Sequence, residues 1–552
     1  MSNVFGFGAK GDGIADDTAA LQHTLDSGDG VLRLNNNVLG IRCKPTVLGS
    51  VPVSIQMGGA NRPEDFRMPR LFCERSAHQQ QAFQNFYANE REGLTVSSRR
   101  GMLKVGLAGL AGLSLPELLR CRAHASESAR KTAGAKSVIL LWMSGGPSQI
   151  DSWDVKPNRP SVNRGPFAAI STKLPGVQIC EHLPKQAAML DKFTLIRSVD
   201  ARGSSHNPNR VFQTGHLGSD TADAKYPAIG SVVAKMHGPN HPAMPPYAAA
   251  VASPRKHLAF AGYLGKQYDP FIAEQATSLP IYDINGIDTG KMTGASLFQL
   301  PEGLTFDRLS ERRTLMKDFD VLRSGIDQGG SLVAMNAYQS QALDMVLGGQ
   351  AQAAFDLSRE PAKNRERYGQ HLWFQQALLA RRLVEAGVTF VTIGMNHSGG
   401  ASWDNHGEHP SCPYGGISTG MRKLLSLFDH ALSTLVSDLE ERGLLDDVLV
   451  IAMGEFGRSP VMGLQTGYTD GRDHWPAVMS MALTGGGLRH GQVIGATEAD
   501  GGSIKERPVT PGDIAATIYR YFDVPLDATY LDNQGRPLSV VQNDGRPIRE
   551  LF

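Results

Sequence analysis

Four apolar runs of strand length constrain this chain most: KSVILLWM ending at Met143, FTLIRSV from Phe193 to Val199, VTFVTIGM from Val388 to Met395, and VLVIAM from Val448 to Met453. Nearly unbroken apolar character over so few residues reads as strands buried on both faces. Helical patterns precede the last two. Leu372, Leu378, Leu379 and Leu383 share one helix face that stops at Gly387, and Met421, Leu424, Leu425, Phe428, Leu432, Leu435 and Leu439 share another that stops at Gly443. Repeated helix–glycine–strand order predicts an α/β fold of three layers, α/β/α, with a mostly parallel central sheet. Residues 239–368 open on a proline-rich stretch, PNHPAMPPY, and continue in polar helical segments, which reads as a partly helical insertion or cap over a cleft.

Every run empties into residues that hold metals or move protons. The first leads to Gln149 and Asp151, and the second to Ser204, Ser205 and His206. The third leads to Asp404 and His406, and the fourth to Glu455, with Asp473 and His474 following in GRDHW. A lone Asp after a strand is commonly a helix cap. Four strand ends carrying such groups instead predict one shared site, because open α/β sheets bind ligands outside the carboxyl ends of their strands. Asp151, Asp404, His406, Glu455, Asp473 and His474 are the candidate metal ligands. Carboxylates with imidazoles suit Zn, Mn or Fe, and an oxygen-rich set suits Ca or Mg. One or two such divalent ions would serve an in-line displacement at phosphorus or sulfur.

Composition narrows the partners. Lys and Arg number 55 against 54 Asp and Glu, so a formal charge of +1 gives no sign of a nucleic-acid or membrane-surface partner. Five cysteines without a C-x-x-C exclude zinc ribbons and thioredoxin-like chemistry. Ser98-Arg99-Arg100-Gly101-Met102-Leu103-Lys104, the apolar VGLAGLAGLSL and Ala123-His124-Ala125 resemble a twin-arginine (Tat) export signal over residues 96–125, which implies the Tat export machinery as a partner and a periplasmic or secreted protein. The apolar core of that segment is too short to span a bilayer, and no later stretch approaches about 18 uninterrupted apolar residues. Export permits a disulfide between Cys180 and Cys412, the two cysteines after that point. FGAKGDGIADDTAALQ at Phe7 to Gln22 resembles the opening of a pectate-lyase-like β-helix, but no repeats follow, so residues 1–95 read as a fragmentary extension or misplaced start.

A wider set of phrases carries a second resemblance. VILLWMSGGPSQIDSWDVKP, RGPF, GVQICEHLP, TGHLGSD, SWDNHGE, MGEFGRSP, GRDHWP, GGGLRHGQVIG and TPGDIAATIY together resemble the DUF1501 family, a sulfatase-like branch of the alkaline phosphatase superfamily, over residues 136–552. The resemblance implies an alkaline-phosphatase-like fold and a metal-dependent hydrolase of small-molecule or glycan phosphate or sulfate esters. HNPNR at His206 to Arg210 stands where sulfatases carry C-x-P-x-R, with His in place of the nucleophile's precursor. Phe456 stands where a ligating His is usual, Glu455 replaces Asp, and Ser144-Gly145-Gly146 replaces an acidic first-strand end. Ser204, Ser205, His206 or a metal-bound hydroxide are the nucleophile candidates. Arg210 and Arg458 are expected to neutralise oxyanion charge with their planar donors. The altered positions also admit a non-catalytic exported protein that keeps the fold and binds an anionic glycan or a protein.

Overall fold

A computed structural model of the chain divides into two compact units, Met1–His124 and Ala125–Phe552. It describes residues 135–552 apart from 207–208, 221–224, most of 295–348, 399, 408–413 and 543. Within 1–134 it describes four short strands, Leu39–Ile41 paired antiparallel with Ile55–Met57, and Val51–Val53 paired antiparallel with Leu71–Cys73. The β-helix-like phrase, the twin-arginine segment and Cys412 lie outside the described residues. Cys180 is a free, buried thiol whose pKa burial pushes up to about 12.

In the second unit eight strands make one sheet: β1 (Ser137–Trp142), β2 (Phe193–Val199), β3 (Tyr247–Ala250), β4 (Phe271–Ile272), β5 (Phe390–Gly394), β6 (Val448–Met453), β7 (Met479–Gly485) and β8 (Gln492–Ile494). Their lateral order is β4-β3-β5-β1-β6-β7-β2-β8, and β7 alone runs against the rest. The fold is therefore α/β with a mostly parallel sheet. The four apolar runs are β1, β2, β5 and β6.

Alternation along β1 shows why those runs are apolar on both faces. Ile139 and Leu141 pack with Leu378 of α2 (Leu372–Glu385) and Leu424 of α3 (Arg422–Glu441) on one side of the sheet. Val138, Leu140 and Trp142 pack with Ile518 of α4 (Pro511–Tyr521) on the other. A strand covered on both faces has no polar side to show. The phrase TPGD turns out to start α4. Thr510 accepts from the Asp513 backbone N–H while the Asp513 carboxylate accepts from the Thr510 N–H, a reciprocal cap with Pro511 in the first turn.

The stretch 239–368, read as an insertion or cap, supplies β3 and β4 at the edge of the central sheet. Its strand, Tyr247–Ala250, reads YAAA, and alanine's weak β preference hides it from a pattern search. It forms because the neighbouring β5 and the buried layers on both faces supply the packing that propensity does not. Among the described residues no helix is long and apolar enough to cross a membrane.

Candidate metal centre

Strand register brings the loops together. Trp142, Gly394 and Met453 end β1, β5 and β6 as lateral neighbours, so the segments starting at Met143, Met395 and Gly454 leave the sheet at one level. Two glycines let them approach. A Cβ on Gly145 (φ +123°) would stand 2.4 Å from the Asp404 backbone nitrogen, and one on Gly146 (φ +78°) would stand 2.7 Å from the Phe456 ring. The sequence SGG is thus the space into which the loops bearing Asp404 and Glu455 fold.

Around Asp404 three imidazoles converge. Its Oδ1 lies 3.1 Å from His474 Nε2, 3.0 Å from His406 Nε2 and 3.4 Å from His206 Nε2. The Nε2 atoms of His206 and His406 are each 2.8 Å from that of His474. Behind two of these rings stands a carboxylate: His206 Nδ1 donates to Glu455 Oε1 at 2.7 Å, and His406 Nδ1 donates to Asp473 Oδ1 at 3.1 Å. An ionised carboxylate only accepts, so the Nδ1 of each ring carries a proton, and in its neutral form each ring points an Nε2 lone pair at the common point. The Phe456 ring backs two of the three, with centroids 4.7 Å from those of both His206 and His474.

These donors fit a divalent ion. Ligands about 2.0–2.1 Å from a tetrahedral Zn²⁺ lie roughly 3.3 Å from one another, and His206, Asp404 and His474 each offer a donor atom within 4.8 Å of the other two. Imidazole nitrogens with one carboxylate oxygen favour Zn and its transition-metal neighbours over Ca or Mg. The electrostatics agree. Burial disfavours charge on Asp404, but hydrogen bonds from the three histidines and the Arg458 charge outweigh it and hold the carboxyl well below the usual range. Burial likewise disfavours a charged His206, yet Asp404 and Glu455 raise it to about 9. His474 moves the other way, lowered chiefly by burial. The surroundings thus favour positive charge at His206 and disfavour it at His474. Glu455 is fully buried, with Oε1 accepting from the Gly145 N–H at 2.8 Å and Oε2 unpartnered. His474 and Asp473 are partly exposed, and the centre meets solvent on their side.

Other expected residues have different positions. Arg458 is wholly buried, and its guanidinium donates to Gly146 O at 2.8 Å, Arg472 O at 3.0 Å, Trp403 O at 3.2 Å, Gly145 O and Asp404 Oδ1 at 2.6 Å. With its donors so engaged it does not bind an oxyanion; it ties three loops together and orients Asp404. Asp151 is also sequestered, accepting from Arg472 Nε at 2.6 Å and from Ser148 at 2.5 Å, and it anchors the GRDHW loop away from the convergent nitrogens. Glu455 and Asp473 reach the imidazoles' Nδ1 atoms, behind the rings. Ser204 is buried with its hydroxyl unpartnered, Ser205 is exposed, and Arg210 precedes the short helix Val211–Thr214.

Sequence reasoning missed His257. Its Nδ1 is 2.9 Å from Ser144 Oγ, and that hydroxyl accepts from Asn209 Nδ2 at 3.2 Å, directly beside Gly145. It lies in the stretch read as a cap, where no motif marks it.

The family model described as a protein of unknown function, DUF1501, matches residues 135–552. No curated protein matches the chain. Solved structures to which it is similar include the PsFucS1 sulfatase from Pseudoalteromonas sp., 13% identical, covering 72% of this chain and 70% of that one with a TM-score of 0.33. Another is the phosphonate monoester hydrolase of Agrobacterium radiobacter, 13% identical over 75% and 77% of the two chains, with a TM-score of 0.32. A third is the lipoteichoic acid synthase LtaP from Listeria monocytogenes, 9% identical over 71% and 73%, with a TM-score of 0.29. Since the family match runs the length of the α/β unit and its histidine–carboxylate centre, the chain belongs to the DUF1501 family.

Proposed function

We propose that this protein is a divalent-metal-dependent hydrolase of phosphate or sulfate esters, small-molecule or glycan. The observation that carries the reading is the convergence of His406 and His474 Nε2 on Asp404 Oδ1, at 3.0 and 3.1 Å, at the carboxyl edge of a mostly parallel sheet. Asp404, His406 and His474 would hold the ion, which when bound supplies charge stabilisation at the ester's non-bridging oxygens and acidifies water. The protein's share is preorganisation. Asp473 fixes the tautomer and orientation of His406, and Arg458 fixes Asp404 by a direct hydrogen bond at 2.6 Å. Phe456 closes the apolar wall behind the rings, which raises the strength of every charge interaction in front of it. Export belongs to the same proposal and is supported by Arg99-Arg100 and Ala123-His124-Ala125.

Turnover of aryl phosphates and aryl sulfates by the purified protein tests this reading. Asp404→Ala should abolish it, and turnover that survives the substitution would overturn the proposal.

A further inference from the structure

We infer that His206 is itself a ligand of the ion, and not a nucleophile, so that esters are cleaved in a single displacement by water. The inference rests on the metal-dependent reading above and specifies its course. His206 and His406 are built alike. Each has its Nδ1 proton bound by a carboxylate, Glu455 at 2.7 Å and Asp473 at 3.1 Å, and each has its Nε2 at 2.8 Å from His474 Nε2 and within 3.4 Å of Asp404 Oδ1. A carboxylate behind an imidazole fixes the ring and raises its basicity for a metal on the far nitrogen. Two independent loops, the one after β2 and the one after β5, arrive at the same arrangement, and a ring so held has its one lone pair committed to the shared point.

A nucleophilic His206 would need that lone pair aimed at phosphorus or sulfur from outside the centre. The Phe456 ring packs against one side of the imidazole, and Glu455, wholly buried, holds Nδ1, so the ring is not set to swing outward. The position that the sequence resemblance reserves for a nucleophile has therefore become part of the metal centre. In the resulting reaction the oxygen of water bonds to phosphorus or sulfur as the bond from that atom to the ester oxygen breaks. The departing alcohol takes up one proton of that water through solvent, and no group is transferred to the protein.

Co²⁺ titration of metal-stripped protein, followed by visible absorption, tests the ligand assignment without reference to activity. His206→Gln and His406→Gln should each weaken Co²⁺ binding by at least about tenfold and change the absorption bands. Glu455→Gln, which keeps the ring and alters only its support, should give a smaller shift in the same direction and stands in if His206→Gln does not fold. Rapid denaturation at neutral pH during steady-state turnover of an aryl phosphate, followed by intact-mass measurement, should show only unmodified chain. A phosphorylated chain, on His206 or on Ser205, overturns the inference, as do wild-type affinity and spectrum in His206→Gln. Either result leaves metal-dependent hydrolysis standing, whereas a wild-type protein that binds no Co²⁺ overturns both.

Discussion

Two histidine clusters sit at the ends of this sheet's strands, and they have opposite surroundings. Around Asp404, three imidazoles face carboxylates: Glu455, Asp473 and Asp404 itself. Beyond β5, His371 and His397 face aromatic rings instead. Trp373 stacks on His397 with centroids 5.0 Å apart and on Trp403 at 5.9 Å, and the Tyr414 hydroxyl closes on His397 Nδ1. His371 Nδ1 accepts the Trp373 backbone N–H at the start of α2, so its Nε2 carries the proton and donates to His397 Nε2 at 3.2 Å. Every nitrogen of that relay has a partner within the protein. Burial lowers the His371 pKa to about 4, against a small opposing pull from Asp288, and burial together with His371 lowers that of His397 to about 3.

The contrast lies in what stands behind each ring. Carboxylates behind the His206 and His406 rings leave their Nε2 atoms directed at one place beside Asp404. In the other cluster His371 Nδ1 accepts at a helix N-terminus and His397 Nε2 accepts from His371, so each ring's lone pair is taken, the His397 Nδ1–H faces the Tyr414 oxygen, and the stack is neutral. That stack still serves the centre, since Trp403, its last ring, immediately precedes Asp404 and donates through Nε1 to Met395 O at 2.8 Å.

Substitutions separate the two clusters. The largest effect is expected from Arg458→Met, which removes a buried charge from Asp404 and strands the carbonyls of Gly145, Gly146, Trp403 and Arg472. It should cost about 3–5 kcal/mol in urea unfolding, in contrast to the near-neutral result expected of a surface arginine. The neutral cluster should reveal itself through pH. A histidine whose folded pKa is depressed stabilises the fold above its unfolded pKa and loses that contribution as pH falls toward the folded value. For His371 and His397 the window runs from 6.5 down to about 4 and about 3. Each should forfeit on the order of 3 kcal/mol by about pH 4, and His397→Gln should flatten its share of the slope. The smallest effect is expected from Asp473→Asn, which leaves every proposed ligand in place. It should weaken metal binding roughly tenfold through the looser His406, with stability little changed.

Much of this architecture was legible because burial on both faces forces apolar runs, which made β1, β2, β5 and β6 visible in the sequence. The YAAA strand β3 was not, since it depends on neighbours for its structure. At the centre, residue types pointed to Asp404, His406 and His474, which the structure brings within 3.1 Å of one another. Roles were harder to read. Glu455 and Asp151 are both acids beyond strand ends, yet one supports an imidazole and the other pairs with Arg472, a distinction set by where distant loops fold. Arg458 looked like an anion contact because sequence does not show which carbonyls surround a guanidinium.

The central claim is that the carboxylate-backed cluster, and not the aromatic one, binds a divalent ion. Calorimetric titration of metal-stripped protein with Zn²⁺ tests it directly. Saturable binding that is lost in Asp404→Ala and retained in His397→Gln is expected; absence of binding in the wild type, or binding that survives Asp404→Ala and disappears in His397→Gln, would overturn the assignment.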